Sequence, residues 1–332
     1  MVIIGASLAT IALLSACASN TLDASTWKPI PTVSVKRSAR HPGPYFSTLL
    51  VANINGYSVL GFGIPTSGGN IAPIQEISGV ATQLNALISS IAVDSMGNIW
   101  TSQFGETYLQ RYTDGSTGNA SPDRVLITTG WDDLGVAVDS DGNVWASAAA
   151  ADFSGTQAIN EYDGYPLTPP IRTIEGSFLT NPWGMAFDTL GNLYVANRYG
   201  GNIGSILILS SSNGYVSPIA KIKGPNTQLQ NPSQIAIDSS GRVIVSSYFP
   251  QGRVIVFNSG ATGDATPSAV ITTVHNPGGV AVDASGNIYV SEEVNNKIFE
   301  FAPDANGNAS PLSTITGSNT TLDTPVTLTM SL

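Results

Sequence analysis

The chain has 332 residues, of which 42% are hydrophobic and only 11% charged, and it contains 34 glycines and 20 prolines. The apolar content suffices for a folded core, whereas few charges and many turn-forming residues favour short strands over helices. The formal net charge is −10, from 23 acidic and 13 basic residues. Nucleic acids and anionic membrane surfaces attract proteins through clustered Lys and Arg, so this balance excludes both as expected partners.

The N-terminus has the features of an export signal. Residues 2–14 (VIIGASLATIALL) form an apolar run of 13 residues, which is too short to span a bilayer and suits the hydrophobic region of a signal peptide. The run leads into Leu14-Ser15-Ala16-Cys17, which resembles a bacterial lipobox. That resemblance implies cleavage before Cys17 and lipidation of its thiol. An ordinary signal peptide, cleaved elsewhere, is the alternative.

The remaining chain divides into a tether and a folded domain. Residues 18–44 are rich in Ser, Thr, Pro and basic residues without a sustained hydrophobic period, a composition typical of a flexible tether. We therefore predict a signal peptide at 1–17, a tether at 18–44 and a folded domain at 45–332. Because Cys17 is the only cysteine, the fold has no internal disulfide. The expected location is the cell envelope, with membrane attachment only through Cys17.

A repeat of 45 to 50 residues runs through the folded domain. Each copy has an aspartate, with an alanine two residues before it and a glycine three residues after it. An aspartate side chain can accept hydrogen bonds from backbone N–H groups of the following turn, and glycine supplies the positive φ that closes it, so each copy predicts a hairpin. The five aspartates are Asp94, Asp139, Asp188, Asp238 and Asp283.

Aromatic residues occur six positions after the aspartate in four of the five copies, and they predict packing between neighbouring sheets. Two further strands complete each unit, as at 297–301 and 312–315, and four strands per repeat are typical of a propeller blade. The segment from Asn276-Pro277 to Lys297-Ile298 resembles the NHL repeat, and 181–197 is similar to it. The resemblance implies an all-β propeller. The aromatic residues are Trp100, Trp145, Tyr194 and Tyr289.

One blade is expected to combine both ends of the domain. Residues 48–53 (TLLVAN) match the second strand of a repeat but have no first strand before them, and residues 324–330 (TPVTLTM) match a first strand with no second strand after it. Pairing the two would remove two exposed sheet edges. The sequence therefore predicts a six-bladed β-propeller with four-stranded antiparallel blades, the first blade closed by the C-terminal strand.

Candidate binding residues follow from the expectation that a propeller binds ligands at the mouth of its central channel. The ends of the second strands provide one ring, and the residues near the Asn-Pro pairs provide three more positions, including Gly278. A solvated rim without a ligand is the alternative interpretation. The candidates are Asn53, Gln103, Asn197, Ser247 and Glu292 from the ring, with Trp183 and Ser233 from the second set.

Catalysis has weaker support. Six-bladed relatives include calcium-dependent lactonases, and that resemblance would imply calcium held by oxygen ligands such as Glu292, Asn53, Asn197 and Gln103. The ring contains one carboxylate, so we predict no metal or other cofactor, with calcium as the alternative. Streptogramin lyases use a histidine within Pro-His-Gly, whereas His275 precedes Asn276-Pro277 here. The other histidine, His41, lies in the tether, which disfavours a zinc site.

These observations favour a monomeric, non-enzymatic scaffold that binds a protein, peptide or glycan on one propeller face. No catalytic residue is assigned. A hydrolase or lyase of the lactonase or streptogramin-lyase kind is the main alternative, with Glu292 as its acid/base or metal ligand. A structural or adhesion module is a third interpretation.

Overall fold

The structure is a computed structural model, and it describes residues 47–64, 67–128, 132–149, 157–165, 169–198, 203–248 and 251–331. The expected signal peptide, Cys17, the tether and His41 lie outside the described residues, so these predictions remain expectations. Within the described ranges, no helix is both long enough and apolar enough to cross a membrane.

The described residues form 24 strands in six antiparallel sheets of four strands each, which we number as blades 1 to 6. Blade 1 contains β1 (Ser47–Asn53), β2 (Ser58–Ile64), β3 (Gln75–Ile77) and β24 (Pro325–Ser331). Blade 2 contains β4 (Ile88–Val93), β5 (Ile99–Gln103), β6 (Tyr108–Tyr112) and β7 (Arg124–Ile127). Blade 3 contains β8 (Asp132–Val138), β9 (Val144–Ala149), β10 (Ala158–Tyr162) and β11 (Arg172–Glu175).

The second half of the ring repeats this pattern. Blade 4 contains β12 (Pro182–Phe187), β13 (Leu193–Asn197), β14 (Ser205–Leu209) and β15 (Ala220–Ile222). Blade 5 contains β16 (Pro232–Ile237), β17 (Val243–Ser247), β18 (Arg253–Phe257) and β19 (Ala269–Ile271). Blade 6 contains β20 (Pro277–Val282), β21 (Ile288–Glu292), β22 (Lys297–Phe301) and β23 (Ser313–Ile315).

The blades form a closed ring. The inner strands contact one another in the order β4, β8, β12, β16, β20, β24 and back to β4, and all six line the central channel. In blade 1, β24 pairs antiparallel with β1, with Thr48 opposite Ser331 and Leu50 opposite Thr329. The predicted six-bladed propeller, closed by its C-terminal strand, is confirmed.

The aspartate–glycine hairpins all lie at one end of the channel, which we call the turn face. Asp94 shows the common geometry, because its Oδ1 accepts hydrogen bonds from the backbone N–H groups of Met96 and Asn98 at 2.9 and 3.0 Å. Gly97 has a φ of 87°, as the turn requires. The described chain also enters blade 1 at the turn face, since Ser47 pairs with Ile64 at that end of β1.

The aromatic residues pack between blades, as predicted. Trp145 of blade 3 is fully buried and meets Phe187 and Tyr215 of blade 4 edge-on, with ring centroids 5.6 and 5.0 Å away. Its indole N–H donates to Asp139 Oδ2 at 2.9 Å. Trp145, the second residue of β9, therefore links the hairpin turn of Asp139 to the core between blades 3 and 4.

A second repeated motif, which the sequence prediction did not include, joins the outer edges of the blades. Four loops between third and fourth strands share a short motif: a glycine, then directly an asparagine or aspartate, and a proline three residues after that second residue. In each, the glycine pairs with the last strand of the preceding blade, and one of these contacts ties blade 1 to blade 6. The pairs are Gly69–Ile315, Gly118–Ile77, Gly263–Ile222 and Gly307–Ile271.

Candidate functional site

The ring predicted from the ends of the second strands is buried. The exposed fractions are 1% for Asn53, 1% for Gln103, 3% for Asn197, 0% for Ser247 and 2% for Glu292. These side chains hold the loop that leads into the inner strand of the same blade, so the structure places them away from the channel opening.

Two members show how these contacts work. Asn197 accepts a hydrogen bond from the Thr180 N–H at 2.7 Å and donates to the Phe178 carbonyl at 2.8 Å. Asn53 accepts from the Asp323 N–H at 2.6 Å, which joins the start of the described chain to its last loop. Both amides therefore satisfy backbone groups of a loop that has no sheet partner.

Glu292 has the same role. Its Oε1 accepts the His275 N–H at 3.1 Å, and its Oε2 accepts the Asn295 side-chain N–H at 2.8 Å. Gln103 accepts the Ala86 N–H at 2.9 Å. Each oxygen of this buried carboxylate therefore already accepts a hydrogen bond from a protein group.

The channel opens opposite the turn face into a cavity of about 350 Å³, which we call the mouth cavity. Blades 1 and 2 supply an apolar half and blades 4, 5 and 6 supply a polar half. The candidates Trp183 and Ser233 line this cavity, as does Gly278. The apolar half includes Ile54, Leu87, Ile88, Phe104 and Val326, and the polar half includes Trp183, Arg198, Ser233, Tyr248 and Glu293.

Five of the residues that line the mouth cavity directly follow a member of the buried ring in sequence. Phe104 follows Gln103 and Arg198 follows Asn197, and the same offset relates Glu293 to Glu292. Successive side chains of an extended chain point to opposite sides, so an offset of one residue exchanges the buried set for the facing set. Of the predicted candidates, Trp183 and Ser233 line the cavity, and the five ring residues lie one position before lining residues; the binding role of all seven stays a prediction.

Glu293 dominates the electrostatics of the polar half. Its burial raises the pKa to about 7, although a hydrogen bond with Tyr248 and the charge of Arg198 both lower it. Burial, together with the neighbouring Glu293, also raises the pKa of Tyr248. The Arg198 guanidinium lies over the Trp183 ring, 4.5 Å from its centroid. The mouth therefore places a carboxyl that titrates near neutral pH beside a permanent cation.

A glutamine side chain bridges three consecutive inner strands of the channel wall. Gln234 of blade 5 accepts the Val280 N–H of blade 6 at 3.1 Å and contacts the Leu328 backbone of blade 1. A Cβ on Gly279 would lie 2.6 Å from the Val326 carbonyl oxygen and 2.7 Å from the Leu328 nitrogen, as well as 2.5 Å from Gln234 Oε1, so the close approach of the β24 backbone requires glycine here. A second cavity of about 250 Å³, lined by all six inner strands, lies toward the turn face.

No cluster of three or more His, Cys, Asp or Glu side chains that could hold a metal ion occurs among the described residues. His275 is exposed, and its backbone N–H bonds to Glu292. The oxygen ligands considered for calcium are the buried ring residues, whose polar atoms already bind protein groups.

No protein-family model matches this chain, and no curated protein matches it in sequence. A solved structure of a protein of unknown function from Bacteroides caccae matches with a TM-score of 0.62 at 10% identity, over 86% of this chain and 99% of that one. Virginiamycin B lyase from Staphylococcus aureus matches with a TM-score of 0.45 at 16% identity, over 65% of this chain and 66% of that one.

The PQQ-bound form of aldose sugar dehydrogenase from Streptomyces coelicolor matches with a TM-score of 0.49 at 18% identity, over 71% of this chain and 81% of that one. At 10% identity, the likeness to the Bacteroides caccae protein shows a shared fold and nothing further. A functional proposal for this chain therefore depends on the residues of its own mouth cavity.

Proposed function

We propose that this protein is an exported NHL-repeat propeller, anchored by a lipid on Cys17, that binds a protein, peptide or glycan at the mouth cavity without chemical conversion. The mouth cavity carries this proposal. Its volume of about 350 Å³ is within the range of binding pockets for small groups, about 300–1,000 Å³. A single side chain or sugar ring of a larger ligand would fill it.

The apolar half of the mouth cavity supports a peptide ligand most strongly. Leu87 is 42% exposed and Phe104 is 37% exposed at its rim, while Ile88 and Val326 are buried behind them. Burying exposed apolar surface of this kind favours association, and aromatic residues beside a pocket often contribute most of the binding energy. The ligand would insert one apolar group and extend over the adjacent loops.

Peptide selection tests the site. Peptides selected from a displayed library on the wild-type protein should lose binding to Phe104→Asp, which places a charge at the rim. They should retain binding to Leu190→Asp, because Leu190 is 81% exposed in the hairpin of blade 4 on the turn face. Selected peptides that bind both variants equally would place the binding surface elsewhere.

Anchoring has its own test. If the lipobox is used, mass spectrometry of the mature protein should find Cys17 as the N-terminal residue with acyl groups attached. Cys17→Ser should release the protein from membranes while the propeller still folds, since Cys17 lies outside the described fold. A mature N-terminal peptide without acylated Cys17 would rule out the lipid anchor.

An enzyme is the second candidate, and Glu293 favours it. A carboxyl with a pKa of about 7 is suited to proton transfer at neutral pH. Lactone hydrolysis by the wild type that is lost in Glu293→Gln would establish this alternative. Equal low rates in the wild type, Glu293→Gln and Glu292→Gln are the result that we expect.

A further inference from the structure

We infer that the ligand group recognised in the polar half of the mouth cavity is a carboxylate attached to an apolar body, and that it binds together with a proton. This inference rests on the proposed function, because it names the chemistry of the ligand for the same cavity. Four residues carry it, Arg198, Ser233, Tyr248 and Glu293, with the apolar half as the second part of the site.

The polar half presents mainly hydrogen-bond donors. The Arg198 guanidinium has no acceptor atoms, and the Ser233 hydroxyl can donate. The Tyr248 hydroxyl donates to Glu293 while that carboxyl is ionised and can donate to a ligand once Glu293 is protonated. Glu293, the only acid among the described lining residues, becomes a donor when it is protonated. A ligand group that offers only acceptors, as a carboxylate does, matches this set better than an ammonium group does.

The charge of the lining residues also favours a carboxylate as the ligand group. Among the described residues, the titratable side chains that face Glu293 are Arg198 from blade 4 and Tyr248 from blade 5, and the lining residues of blades 1 and 2 are not ionisable. A ligand carboxylate beside Arg198 and a protonated Glu293 leaves these described lining residues and the ligand with no net charge. An ammonium group beside Arg198 and an ionised Glu293 leaves one positive charge in a partly desolvated site, which is costly.

Binding should therefore take up a proton onto Glu293. The carboxyl has a pKa of about 7 before binding, and an added negative charge beside it raises the pKa further. Affinity for a carboxylate should then fall by about tenfold between pH 6 and pH 8, as expected for one linked proton.

Three probes with one apolar body test this inference: 3-phenylpropionate, 3-phenylpropanol and 3-phenylpropylamine. Titration calorimetry on the intact protein at pH 6 should give the tightest binding for the carboxylate, by about tenfold over the alcohol. Its affinity should fall by about tenfold at pH 8. Glu293→Gln should remove this pH dependence, and the exposed Glu175→Gln should preserve it.

Other results would overturn the inference. Equal binding of the alcohol and the carboxylate would do so while leaving the mouth as a binding site. Tightest binding of the amine, with affinity that rises with pH, would also overturn it. If none of the three binds, the carboxylate inference fails, whereas the proposed function fails only if selected peptides also bind Phe104→Asp as tightly as the wild type.

Discussion

Gln234 bonds the backbone of Leu328 twice, accepting from its N–H and donating to its carbonyl group, both at 3.2 Å. The two residues belong to blades 5 and 1, so the contact passes the intervening blade 6 and ties three blades together at the channel. An inner strand has one unpaired edge, and Gln234 supplies the partner that the edge of β24 lacks at this point.

Replacing Gln234 with Leu should lower the free energy of unfolding by about 1–3 kcal/mol, because the buried N–H groups of Val280 and Leu328 lose their acceptor. Urea denaturation followed by tryptophan fluorescence measures the change. The exposed Gln251→Leu is the control and should have little effect. Two variants of equal stability would contradict a stabilising role for the Gln234 hydrogen bonds.

Leu328→Ala should destabilise the ring by about 2–5 kcal/mol, since a buried leucine is lost from a packed core. Leu328 is 2% exposed and packs in one cluster with Leu49 and Tyr289. Thr329→Ala, at the neighbouring and more exposed position, should lower the free energy of unfolding far less.

Deletion of residues 324–332 should abolish the cooperative melting transition, because it removes β24 from blade 1. A truncated protein with an unchanged melting temperature would contradict ring closure by β24.

Asn197 and Arg198 should behave in opposite ways, although they are adjacent. Asn197→Ala removes the hydrogen bonds to Phe178 and Thr180, so we expect a loss of about 1–3 kcal/mol in stability. At a temperature where Asn197→Ala is folded, its ligand affinity should stay within about twofold of the wild-type value. Arg198→Gln should reduce carboxylate affinity at least tenfold with a smaller change in melting temperature. The reverse pattern would support the buried ring as the binding surface.

Stability should fall as the pH rises from about 4.5 to about 7, because of Glu293. Its pKa is raised in the folded state from 4.5 to about 7, so the unfolded chain loses this proton first and is favoured across that range. The loss amounts to about 3 kcal/mol at most. Glu293→Gln should be more stable than the wild type at pH 8 and equal to it at pH 4, by urea denaturation. Parallel stability curves for the two proteins would contradict the raised pKa.

The fold was predictable because each local signal has a mechanical cause that repeats. An aspartate such as Asp94 and a glycine such as Gly97 can make the same hairpin wherever they occur at that spacing, so five copies set the period of the blades. Residues 48–53 lack a first strand and residues 324–330 lack a second strand, so pairing the two segments completes one blade. The glycine loops at the blade edges escaped prediction because their contacts join different blades.

The strand ends beside the mouth cavity were predictable, but apart from Trp183 and Ser233 the side chains that line the cavity were not. The end of each second strand is where the chain reaches the mouth, and the repeat alignment locates that end. Which of two adjacent side chains faces the channel depends on how the strand leaves its sheet, and the loop contacts of Asn53 and Glu292 decide it. Those contacts are to backbone groups, which leave no pattern in the sequence.

The position of Ser47 has a consequence for access. Ser47, the first described residue, pairs with Ile64 at the turn face, whereas Phe104 and Arg198 line the cavity at the opposite end of the channel. A ligand seated in that cavity would therefore leave the first residues of β1 uncovered.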